Sequence, residues 1–226
     1  METKYLNIAK NLRTLRTANI IGIIAVIVGI IGGIALVMGA GIGAGIASDS
    51  GTGIIPSAAV GAVGIGGLVA LVGLILSLVA GIMKIVALAK NSKENTGYKN
   101  AMILVLVSIV LSFVTMFLTN AGDVVLEIAG ALVMIVDLFV VYFIITATDE
   151  FLREKGNTVV ADEGIAVRKL YIICTAIMVV GNLAGLVPFL SGVVSIVTLV
   201  VSIVQLVALF KFIGFLGHSA NALADK

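Results

Sequence analysis

Tryptophan is absent from this chain, histidine and cysteine occur once each, and proline occurs twice. The lone Cys174 can neither close an intramolecular disulfide nor complete a metal cluster. The lone histidine, His218, lies near the C-terminal end, so no histidine–carboxylate set for a zinc protease can form inside an apolar segment. HExxH, GxSxG, CxxC and the Gly-Lys-Ser/Thr phosphate loop are all missing. An aspartyl intramembrane protease needs two deep carboxylates, and only Asp137 stands deep in an apolar run. No catalytic, cofactor-binding or metal-ligating set remains to be named, and the expectation is a non-enzymatic chain without a cofactor. Basic residues interleaved with aromatics, the footprint of a nucleic-acid surface, are missing as well.

Charge is the next scarcity. Charged residues make up 12% of the 226 positions, about half the usual share of a soluble domain. Hydrophobic residues make up 61%, and the mean hydropathy is +1.26. What polar surface is left could not cover a water-soluble fold. Several apolar runs approach or exceed the roughly 20 residues that cross a bilayer as a helix. They are rich in Ile, Val and Leu, which in water would suggest strands. In lipid an open strand leaves its backbone donors and acceptors unpaired, so length decides for helices. A membrane β-barrel would show short alternating segments with aromatic girdles, and aromatics here are 6%. The fold class expected is an all-α, polytopic integral membrane protein with six transmembrane helices arranged as three helical hairpins.

Taken in order, residues 1–17 form a basic segment in which Tyr5, Ile8, Leu12 and Leu15 recur at helical spacing. Two readings stay open: an amphipathic helix lying on the inner membrane surface, or a basic flank that orients the first span. The membrane domain is expected over 18–212 and a C-terminal tail over 213–226. Helix 1 covers about 18–40; its apolar run is longer than that of a typical signal peptide, so it reads as a retained span. Glycine crowds residues 39–67, and Gly29/Gly33 and Gly39/Gly43 fit the four-residue spacing of small residues that lets helices approach closely. A turn is expected at 48–53, with Pro56 at the start of helix 2, which covers about 57–90. Helices 3 and 4 are expected at about 100–118 and 124–148. A polar stretch follows over 149–169, in which 149–155 prolong helix 4 and Gly156 stops it. Helices 5 and 6 are expected at about 170–186 and 193–212, turning near Pro188; one kinked helix is the competing reading there.

The fourteen Lys and Arg residues all fall on one side of this arrangement, and the turns at 48–53, 119–123 and 185–192 contain none. By the positive-inside rule both termini are expected in the cytoplasm, with the chain in the plasma (inner) membrane. Residues 77–90 and 198–211 share seven identities in fourteen positions. IMKIVALAK at 82–90, IVDLFVVYF at 135–143 and IVQLVALFK at 203–211 can be superposed, which places Lys84, Asp137 and Gln205 at one equivalent position. A threefold hairpin repeat about an axis along the membrane normal would give this pattern. Two segments drawn from Leu, Val, Ile and Ala also agree by composition alone.

Lys84, Asp137 and Gln205, with Glu127 nearer the outer end of helix 4, are the candidate intramembrane polar cluster. An ionisable group at the centre of a bilayer costs about 2.5–3.5 kcal/mol on the lenient insertion scale, so each needs a partner or water. Lys84 and Asp137 could pair beside Gln205, stand apart with Lys84 snorkelling to the inner surface, or form a coupling site. Ser108, Ser112 and Thr115 recur on helix 3, where they satisfy their own backbone, bond to a neighbour or line a polar path. The functional expectation is a non-enzymatic multi-pass protein acting through helix packing and association, as an accessory subunit, scaffold or self-assembling component. Its partners would be the lipid bilayer and a homo-oligomer or membrane-protein partner. The alternative is a small transporter or channel that uses Lys84, Asp137 and Gln205.

Overall fold

In the computed structural model the chain is all-α. The described residues are 2–50, 57–118, 122–186 and 191–225; at 39–50, 57–63, 116, 123, 191–193 and 195 only the backbone is described. Six helices follow one another: α1 (Glu2–Ser50), α2 (Ser57–Asn91), α3 (Thr96–Phe117), α4 (Asp123–Glu154), α5 (Thr158–Gly185) and α6 (Ser191–Ala224). All six contain a stretch long and apolar enough to cross a membrane. Of the turns expected at 48–53, 119–123 and 185–192, residues 51–53, 119–121 and 187–190 lie outside the described residues, as do Pro56 and Pro188, while 48–50 still belong to α1. The two-helix reading of the last hairpin holds, since α5 ends at Gly185 and α6 begins at Ser191.

Local chemistry sets the helix ends. Asn95 caps α3 by accepting from the backbone N–H of Gly97 at 2.7 Å. Asn157 caps α5 by accepting from Val160 N–H at 3.2 Å. Between α4 and α5, Gly156 takes φ = 81°, a left-handed value that costs glycine little. Its N–H bonds to the Arg153 carbonyl at 2.9 Å, and the Asn157 N–H bonds to the Leu152 carbonyl at 2.8 Å. That pair of bonds is the Schellman closure, which satisfies carbonyls the helix would otherwise orphan.

The chain divides into two compact units. One comprises residues 17–84; the other comprises residues 1–16 and 85–226. In the larger unit α3 packs on α4, α4 on α5 and α5 on α6. Its core lies toward the end that carries the Lys and Arg residues. Ile8, Leu12 and Leu15 from the start of α1 join Leu88 from the end of α2, Tyr98 from α3, Ile145 and Leu152 from α4, and Phe212, Phe215 and Leu216 from α6. The start of α1 thus contributes directly to this core. The apolar stripe faces neither lipid nor water: it is buried against the other helix ends, and α1 continues through it without a break. Residues 213–224 continue the last helix. α6 runs on to Ala224, and Phe215, Leu216, Ala220 and Leu223 are buried. α5 begins at Thr158, within the stretch read as polar, because Ala161, Gly164, Val167 and Tyr171 supply a buried stripe at helical spacing.

Polar contacts tie both chain ends to the last turn of α4. The Lys155 ammonium donates to the carbonyls of Ala222 and Leu223, each at 3.0 Å, and to that of Asp225. A cation at these orphan carbonyls also complements the negative end of the α6 dipole. Lys4 stands over the Phe151 ring, with its ammonium 4.8 Å from the centroid. Asn11 donates to the buried Asn91 at 2.6 Å. Arg153 bonds Asp162 at 2.8 Å and Asp149 at 3.1 Å.

The smaller unit is an antiparallel pair with small residues along its seam. A Cβ on Gly32 would lie 2.5 Å from the Ala70 backbone nitrogen, and one on Gly66 2.7 Å from that of Leu36. One on Gly73 would lie 2.9 Å from the backbone nitrogen of Gly29, and one on Gly22 3.9 Å from the Ala80 side chain. The buried positions recur every seven residues: Ala18, Ala25 and Gly32 on α1, and Gly66, Gly73 and Ala80 on α2. A seven-residue period keeps one seam facing its partner. With hydrogen in place of side chains the two backbones touch, and dispersion replaces the hydrophobic drive that lipid cannot supply.

Candidate functional site

Lys84 closes the smaller unit, whereas Asp137, Gln205 and Glu127 belong to the larger. Lys84 is half-buried. It lies four residues beyond Ala80 on α2. Asp137 accepts a hydrogen bond from the Ser108 hydroxyl on α3 at 2.8 Å. Of the α3 hydroxyls, then, Ser108 reaches a neighbouring helix, while Thr115 bonds back to the Ser112 carbonyl at 2.7 Å. Gln205 is half-buried on α6. Of the glycines singled out, Gly29 presents its backbone to Gly73, and a Cβ on Gly33 would meet open space. The side chains of Gly39 and Gly43 lie outside the described set.

Glu127 sits in a more developed setting. The beginning of α4, the end of α5 and the first half of α6 enclose an open groove of about 1150 Å³. Glu127, Asn182, Thr198 and Ser202 line it together with Leu199 and Ile203. Glycine at position 181 keeps α5 and α6 close: a Cβ there would stand 3.3 Å from the Thr198 hydroxyl. Ser202 donates to the Thr198 carbonyl at 2.8 Å, and the Asn182 amide nitrogen approaches the Met134 sulfur at 3.7 Å. The polar side chains thus share one groove in an otherwise apolar stretch of three helices. Reading the helices singly misses this grouping. The signal in the sequence is Asn182 together with Thr198 and Ser202 four residues apart, all at the turn end of the last hairpin.

Comparison of the chain with protein-family models, with curated proteins and with solved structures finds no match.

Proposed function

We propose that this is a non-enzymatic multi-pass membrane protein that works through helix packing and association, as an accessory subunit, scaffold or self-assembling component. The observation that carries this reading is the uneven burial of the spans. Their most apolar windows are only 11–28% buried within the chain, while the tightly packed core lies at the basic helix ends. Apolar helices have no hydrophobic reason to associate in lipid, so close backbone contact is the available adhesive. The smaller unit already uses it at Gly32, Gly66 and Gly73, and Gly33 offers a further small residue on an open face. In this proposal the basic helix ends and both termini face the cytoplasm, in the plasma (inner) membrane.

A photoreactive residue in place of Gly33, activated in native membranes, tests the reading. Cross-links to one discrete protein partner, a second copy included, are the expected result. Cross-links to lipid alone would count against association at this face.

The hydrogen bond from Ser108 to Asp137 favours a second reading, a small transporter or channel using Lys84, Asp137 and Gln205. A carboxylate that accepts from a hydroxyl of the neighbouring helix, within an apolar stretch, is a group that a coupling site would use. Ion or solute flux in proteoliposomes decides it: this reading requires flux that Asp137→Asn abolishes, and flux that is absent or unchanged in the variant removes it.

A further inference from the structure

The groove between α4, α5 and α6 carries more hydrogen-bond acceptors than donors, one of them a carboxylate. The Ser202 hydroxyl hydrogen goes to the Thr198 carbonyl, and one of the two Asn182 N–H groups lies toward the Met134 sulfur. What remains is the Asn182 carbonyl oxygen with one N–H, the Thr198 hydroxyl, the lone pairs of Ser202 and the Glu127 carboxylate, which when ionised only accepts. A ligand that completes such a set carries a positive charge and several N–H donors. Leu199 and Ile203 line the same groove and are themselves exposed, so the polar set borders an apolar wall.

We propose that this groove binds the primary ammonium group of a single-chain membrane amphiphile, with the headgroup at Glu127 and the hydrocarbon chain along Leu199 and Ile203. Three features select this ligand. The carboxylate supplies a counter-charge in an apolar stretch, where ion pairing is screened least. The neutral acceptors suit the three N–H donors of a primary ammonium, and a quaternary ammonium has none to offer. The groove is open, with an apolar border that a hydrocarbon chain can follow from the bilayer.

The test uses the full chain in nanodiscs of phosphatidylcholine, a lipid without N–H donors. Dodecylammonium and dodecyltrimethylammonium are titrated separately and followed by calorimetry. Saturable binding of dodecylammonium is expected, at least tenfold tighter than that of the trimethyl compound. Glu127→Gln is expected to weaken it at least tenfold, and Asn182→Leu to narrow the preference for the primary over the quaternary amine. The comparison of the two amines needs no variant, so it stands even if a substitution disturbs folding. Equal affinity for the two amines, or unchanged binding in a folded Glu127→Gln protein, overturns the proposal. Preferential saturation by phosphatidylethanolamine would overturn the single-chain assignment.

Discussion

The Phe215 ring occupies the space that a side chain on Gly164 would need: a Cβ there would lie 2.7 Å from the ring edge. Phe215 is fully buried, and Ile145 closes the same site from α4 at 3.2 Å. Gly164→Ala is therefore expected to destabilise the larger unit by about 1–3 kcal/mol through overpacking. Phe215→Ala should cost about 3–5 kcal/mol through the cavity it leaves. In the double variant the alanine methyl enters that cavity, so the combined loss should be smaller than the sum. Thermal unfolding of the four proteins in one detergent checks this; strict additivity would contradict the contact.

The end of α6 gives a second prediction. Removing residues 215–226 takes Phe215, Leu216, Ala220 and Leu223 out of the core. Folded, monodisperse protein should be lost, whereas a solvated tail could be removed without effect. Lys155→Met keeps much of the stem but deletes the ammonium that holds the Ala222 and Leu223 carbonyls. Its expected cost is about 1.5–3 kcal/mol, in the range of a charged hydrogen bond. Size-exclusion profiles and thermal midpoints separate the two outcomes.

In the smaller unit, neighbouring glycines should respond oppositely. Gly32→Leu drives a side chain into the Ala70 backbone and should force α1 and α2 apart, while Gly33→Leu points into open space and should leave their spacing intact. Spin labels on the exposed positions 24 and 78 would report the separation by pulsed electron resonance. A distribution that lengthens in Gly32→Leu and stays put in Gly33→Leu is expected. Equal behaviour of the two would refute the seam.

The spans were legible because a membrane leaves a long apolar run one outcome, a helix, whatever its strand propensity. The helix extensions were harder to read. Asp162-Glu163 and Arg168-Lys169 make 158–169 look like a loop, yet Ala161, Gly164 and Val167 between them carry the buried stripe. Ile213 to Leu223 hides the same pattern behind Gly217 and His218. The α1–α2 seam was written in the sequence at a different spacing from the one that draws the eye. Four-residue glycine pairs such as Gly29/Gly33 are conspicuous, but the contact follows Ala18, Ala25 and Gly32 against Gly66, Gly73 and Ala80, seven apart. The Glu127 groove depends on how α4, α5 and α6 dock, which no single-helix pattern contains.

Association in the bilayer is the claim on which the functional reading rests. Counting photobleaching steps of singly labelled chains in planar bilayers, across a dilution series in lipid, measures it without detergent. The account predicts spots of two or more steps that persist to low protein density and shift toward one step in Gly33→Leu. Single-step spots at every density for the wild-type chain would contradict self-association and leave the sparsely buried spans only a different membrane protein to pack against.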